Sequence, residues 1–105
     1  MGTFVNFSNH PSRGWSELQR NAAEEYGTII DIPFPAMTKK IIGVQPDAVM
    51  CMGEFVLCFK IVQKLKAKGI CVLASCSERK AVEHMEKDGT IRKESIFAFC
   101  RFREY

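Results

Sequence analysis

The chain lacks most of the marks that would assign a small protein on sight. It has no C-x-x-C pair, so the tight set of thiolates that a structural zinc needs is missing. No Gly-x-Gly-x-x-Gly follows the first apolar run, and neither a P-loop pattern nor a Gly-x-Ser-x-Gly elbow occurs. These absences disfavour a classical dinucleotide fold and give no support to P-loop or α/β-hydrolase chemistry. The pair of acids that a receiver domain holds at its strand ends is absent too, since Asp31 lies within an apolar, β-branched run. No run of lysine and arginine resembles a nucleic-acid arm, so duplex nucleic acid is not an expected partner. No apolar stretch reaches membrane-spanning length, and no charged region leads into a long apolar core. Asn6 stands where a myristoylation signal has serine or threonine. The expectation is a cytoplasmic protein with no membrane partner. Histidine is scarce as well: His10 and His84 are the two available bases of that type.

The five cysteines are an odd number, and Cys51, Cys58, Cys71 and Cys100 sit inside apolar runs. They read as small buried hydrophobes in a reducing compartment. Cys76 is the exception, placed in an expected loop after a strand.

What is present is enough for one domain, expected over residues 1–105. A hydrophobic share of 47% with 26% charged residues argues against a largely disordered chain, and a net charge of +3 suits an anionic ligand without demanding one. The chain is organised around the stretch from Asp47 to Arg79. Asp47–Gly53 is an apolar run closed by glycine. From Glu54 to Gly69 apolar residues recur at helical spacing, and Ile70–Ala74 is a second apolar run. Two continuous apolar runs separated by one helix mark strands buried on both faces, a βαβ unit of a parallel sheet.

The rest of the chain extends that unit. Thr3–Phe7 reads as a first strand, followed by a polar turn over Ser8–Gly14. Trp15–Tyr26 reads as a helix capped by Ser12 or Gly14 and ended by Gly27. Thr28–Ile32 is a β-branched second strand stopped by Pro33-Phe34-Pro35, and residues 36–46 form a short connector with room for one or two helical turns. Asp88-Gly89 signals a hairpin turn, and Thr90–Arg103 supplies its second arm as an antiparallel edge strand. In that arm strict alternation puts Phe97, Phe99, Arg101 and Arg103 on one side and Ile96, Ala98, Cys100 and Phe102 on the other. A helix over residues 78–87 is the competing reading, because Glu78, Lys80, Glu83, Glu86 and Lys87 are good helix formers. The fold class is thus α/β: a mainly parallel open sheet with flanking helices and a C-terminal β-hairpin.

That architecture gives function an address, because ligands of open α/β sheets bind beyond the carboxyl ends of the strands. Three loops are expected to meet there. They carry Ser8, Asn9, His10 and Ser12 after strand one, Gly53 and Glu54 after strand three, and Ser75, Cys76, Ser77, Glu78 and Arg79 after strand four. Small hydroxyl residues let a backbone approach an anion, and arginine clamps a phosphate through two parallel bonds. Plainer roles fit the same residues. Glu54 suits the first turn of its helix, the serines suit caps, and Asn9 and His10 suit a turn.

The segment Phe4-Val5-Asn6-Phe7-Ser8-Asn9-His10-Pro11-Ser12, with Trp15 beyond it and a serine-rich stretch at Ser75–Arg79, resembles the small CRISPR-associated Rossmann-like (CARF-type) proteins, among them stand-alone ring nucleases. The resemblance covers the first fifteen residues and the general layout. It implies a Rossmann-like homodimer that binds a cyclic oligoadenylate of type III CRISPR antiviral signalling, cyclic tetra-adenylate foremost, and cuts it with neither metal nor cofactor. His10, Ser12 and Arg79 would then be catalytic. Ser8, Asn9, Gly53, Glu54, Ser75, Cys76 and Ser77 would contact the ligand. The short connector at residues 36–46 departs from this pattern by leaving little chain for a lid. Two alternatives stand beside it: a nucleotide-sensing or structural module that does not cleave, and a thiol enzyme using Cys76.

Overall fold

The computed structural model describes residues 2–105; Met1, counted within the expected domain, lies outside the described residues. Five strands form one mixed sheet: β1 (Thr3–Phe7), β2 (Thr28–Ile32), β3 (Ala48–Cys51), β4 (Cys71–Met85) and β5 (Ile91–Glu104). Their order is β2-β1-β3-β4-β5. The first four are parallel, with Val5 opposite both Ile30 and Val49, and Val49 opposite Val72. β5 runs antiparallel to β4, as the hairpin reading expects. Strands β1 and β3 are buried along almost their whole length, which is why they read as continuous apolar runs rather than alternating ones.

Three helices connect the parallel strands: α1 (Glu17–Glu24), α2 (Thr38–Gly43) and α3 (Phe55–Ala67). The chain leaves β1 in one direction for β2, then crosses back to β3 and on to β4. Crossovers of one hand therefore put α1 on one face and α2 with α3 on the other. The core divides accordingly. On the α3 face, Val5, Phe7, Val49 and Val72 pack with Ile41, Cys58, Ile61, Val62 and Leu65. On the α1 face, Phe4, Ala48, Met50 and Leu73 pack with Ala23, and Trp15 and Phe102 lie against them. Helix α3 buries Cys58, Ile61, Val62 and Leu65, one stripe at helical spacing.

Three expectations need correction. The first helix does not begin at Trp15. A short 3-10 turn, Ser12–Gly14, comes first, and α1 starts after Ser16, whose hydroxyl accepts from the Gln19 N–H at 3.2 Å. Ser16 is the cap, not Ser12 or Gly14. Trp15 stays extended (φ −73°, ψ 154°), with its ring at 6.2 Å from Phe4 and 6.4 Å from Phe102. Packing of the indole between these rings outweighs one more helical turn.

The second correction concerns Ser75–Arg79. They are not a loop: β4 continues through them to Met85, because β5 supplies a partner along that whole length. Hydrophobicity falls at Ser75 because the strand leaves the core there, and not because it ends. The hairpin turns at Asp88-Gly89, but through a three-residue loop, Lys87–Gly89, rather than the two-residue one that Asp-Gly signals: the Glu86 N–H donates to the Thr90 carbonyl at 2.8 Å and Gly89 takes φ 87°. The third correction concerns the sides of β5. Register shifts between Cys76 and Ser77, so that Arg101 faces Cys76 while Phe99 faces Ser77 and Cys100 is the extra residue. Such a bulge breaks the alternation. Phe99 and Phe102 therefore meet on one side, ring centroids 5.0 Å apart.

Candidate functional site

The loops after β1 and β3 open at the point where the strand order reverses, the place where open α/β sheets build sites. Asn6, at the end of β1 and 1% exposed, organises the first loop. Its Nδ2 donates to the His10 carbonyl at 2.9 Å and to Asp31 Oδ1 at 3.1 Å, and its Oδ1 accepts from the Ser8 hydroxyl at 2.7 Å. The His10 N–H donates back to Ser8 Oγ at 3.2 Å. The other Asp31 oxygen accepts from the Ser12 N–H at 3.1 Å. Asn6 and Asp31, one at the end of each adjacent strand, thus hold both limbs of the His10 loop. Sequence reasoning missed this pair. The register match of Asn6 with Asp31 was the available signal.

Beside this loop, on the α1 face, lies an open cleft of about 1280 Å³. Usual small-molecule pockets run to roughly 300–1,000 Å³, so this one suits a larger ligand. One wall is Trp15, Leu18 and Gln19; the floor is Met50, Met52 and Gly53. The far wall is the β4–β5 ribbon, with Ser75, Ser77, Lys80, Phe97 and Phe99. His10 stands at the rim. Gly53 is needed there, because a Cβ would sit 2.5 Å from a carbon of the Phe34 ring, which is itself packed 4.9 Å from Phe7.

The structure brings His10, Gly53, Ser75 and Ser77 together in one cleft. It gives others different surroundings. Ser8 is buried within the Asn6 network. Asn9 is exposed. Ser12 lines a separate shallow hollow behind the loop, near Arg20 and Glu24. Glu54 caps α3, accepting from the N–H groups of Leu57 at 2.9 Å and Val56 at 3.0 Å, and those bonds hold its carboxyl below the usual range. Arg79 lies over the Phe97 ring, 5.8 Å from its centroid, just beyond the cleft wall. Cys76 is not among the cleft lining; its carbonyl accepts from the Cys100 thiol at 3.2 Å. Sequence reasoning does not reach the aromatic wall and Lys80, because a loop at Ser75–Arg79 has no cross-strand partner.

The cysteines divide otherwise than expected. Cys51 and Cys58 are buried, Cys71 and Cys76 are half-buried, and Cys100 is exposed. Cys51 and Cys58 sulfurs lie 3.4 Å apart, and burial followed by that neighbour pushes the Cys51 thiol well above its ordinary pKa. A second cleft of about 750 Å³ adjoins Cys58, between Phe55, Phe59 and Tyr105, and is nearly all apolar. Among the described residues no three His, Cys, Asp or Glu side chains converge to hold a metal ion, and no helix is long and apolar enough to cross a membrane.

A family model described as "Uncharacterized protein MJ1673 family" matches residues 2–103. The chain belongs to the MJ1673 family. No curated protein matches it. The match runs through β1 and the His10 loop to nearly the end of β5, so both walls of the cleft lie within the MJ1673-family region.

Proposed function

We propose that this protein is a Rossmann-like, CARF-type domain that binds a cyclic oligoadenylate, cyclic tetra-adenylate foremost, and cleaves it without metal as a cytoplasmic homodimer in type III CRISPR antiviral signalling. The observation that carries the reading is the composition of the cleft. Trp15, Phe97 and Phe99 line the same large opening as Ser75, Ser77, Lys80 and His10, at the carboxyl end of the sheet. Aromatic rings accept stacked bases at about 1–3 kcal/mol each, and hydroxyls with a lysine suit the phosphates between them.

In such a cleft the chemistry needs little machinery. The 2′-oxygen bonds to the adjacent phosphorus, the bond from phosphorus to the 5′-oxygen breaks, and the products are linear with a cyclic phosphate end. The 2′-hydroxyl gives up a proton and the 5′-oxygen takes one. His10 at the rim is the residue suited to that transfer, with its loop fixed by Asn6 and Asp31. Lys80 and the serines would hold the phosphate in line and offset its developing charge, and Arg79 lies one step beyond them.

Trp15 is the single tryptophan and stands in the cleft wall, so its emission reports occupancy directly. Cyclic tetra-adenylate is expected to quench it. Lys80→Ala should weaken that binding about tenfold, the equivalent of roughly 1.4 kcal/mol. His10→Ala should leave binding in place and abolish turnover. If His10→Ala and Arg79→Ala both bind and turn over like the parent, the site assignment is wrong.

A further inference from the structure

Among the described residues, nothing packs against the outer half of the β4–β5 ribbon. Beyond Ser77 and Phe99 the strands run on to Met85 and Ile91 outside the core, which accounts for molecular dimensions of 58 × 32 × 20 Å. The polar side-chain contacts there stay within the ribbon, as in the His84–Glu94 contact at 3.1 Å and the Arg92–Glu86 ion pair at 3.2 Å. A lone two-stranded ribbon is marginal in water. Yet this one exposes large apolar side chains: Phe97 is 74% exposed, Met85 80% and Ile91 59%.

These three share a face. Phe97 pairs with Arg79 and Ile91 with Met85, and alternation from Leu73 and Phe99 puts all of them on the α1 side of the sheet. The stripe is continuous with the buried Phe102–Phe4 contact at one end and runs past the cleft to the tip of the ribbon. On this face α1 and Trp15 reach the base of the ribbon at Phe102, and the stripe from Phe97 to the tip is exposed, whereas mainly parallel sheets are covered on both sides.

We propose that the ribbon is a dimerisation arm, whose α1-side face packs against the same face of a second copy and closes the two clefts toward each other. Three observations favour a second copy over other occupants. The α1-side face of the free arm offers about nine residues from Ser77 to Phe97, roughly half of what one side of a standard interface uses, and the cleft wall beside it supplies the rest. Between Ser77 and Phe97 the charged residues on the strands' α1-side face are Arg79, Glu83 and Lys93, of both signs, so an antiparallel second copy can set Glu83 against a basic residue. The apolar stripe is also continuous with the cleft that the proposed two-fold ligand would occupy. The arm takes its partner from the homodimer reading above but does not depend on the nucleotide.

Sedimentation of the full chain without nucleotide tests it, with two variants. Met85→Glu with Ile91→Glu places four like charges at the contact of a dimer while disturbing nothing the single chain buries. In the other, residues 82–94 are replaced by Asn-Gly, which closes the ribbon between the paired Ala81 and Ser95. The parent should sediment at twice 11.9 kDa, and both variants as monomers with the parent's circular dichroism. A monomeric parent overturns the arm and the dimer together, leaving the cleft's ligand to its own assay. A dimer that survives both changes overturns the arm alone. If the tip variant unfolds, the shortened chain decides.

Discussion

Replacing Asn6 with alanine should loosen the loop that carries His10, at a cost that can be worked out bond by bond. Three hydrogen bonds are lost: to the His10 carbonyl at 2.9 Å, to Asp31 at 3.1 Å and from Ser8 at 2.7 Å. Each contributes a net of about 1 kcal/mol, the Asp31 bond being kept to that figure because the carboxylate is solvent-exposed. Ser8 keeps a fallback in the His10 carbonyl at 3.4 Å, which limits the loss. The total is about 3 kcal/mol, and for a domain of this size that corresponds to a fall in Tm of roughly 12–24 °C. Asn6→Asp separates the hydrogen-bonding account from simple loss of volume. It keeps the shape but sets a second carboxyl 3.1 Å from Asp31. Such a pair raises one carboxyl pKa in the folded state above its unfolded value. The penalty is therefore absent below the unfolded pKa and complete above the folded one. Near neutral pH, Asn6→Asp should melt below Asn6→Ala, and it should regain stability as the pH falls toward about 4. Thermal melts of both variants across pH check this. A fall in Tm of under about 4 °C for Asn6→Ala, or an Asn6→Asp deficit that ignores pH, would refute the reasoning.

Gly53→Ala drives a methyl into the Phe34 ring, with contacts of 2.5, 2.6 and 2.7 Å, and overpacking of this kind costs about 1–3 kcal/mol. An unchanged denaturant midpoint would contradict it. Glu54→Gln should lower Tm near neutral pH, because the carboxylate accepts from the Leu57 and Val56 N–H groups. Those bonds depress the folded pKa, so the contribution is present above the ordinary carboxylate range and is lost as the pH falls through the folded value. The gap between parent and variant should close in acid, and one that persists there would point to a cause other than the charged cap.

The parallel half of the fold was legible because burial on both faces leaves a plain signal. Strands β1 and β2 end where their apolar and β-branched runs end, and Glu54 and Gly69 bracket α3 as acidic residue and glycine at helix ends do. The ribbon was legible in its turn and its second arm, but not in the length of its first strand. Its strands are held by each other, and exposed two-stranded pairing leaves little hydrophobic periodicity to read, so Ser75–Arg79 passed for a loop. The Phe99–Phe102 contact depends on a bulge at Cys100, which nothing local announces. In the site, His10, Gly53 and the serines followed from topology alone. Trp15, Lys80 and Phe97 did not, because their place in the cleft depends on where α1 begins and how far β4 runs.

Incubating the purified protein with cyclic tri-, tetra- and hexa-adenylate, with and without EDTA, tests the central claim most directly, with products read by chromatography and mass. The account predicts linear products that persist in EDTA, formed from cyclic tetra-adenylate first and lost in His10→Ala. Intact rings, with no change in the emission of Trp15 or in the melting of the protein, would contradict it and remove the nucleotide from the cleft altogether.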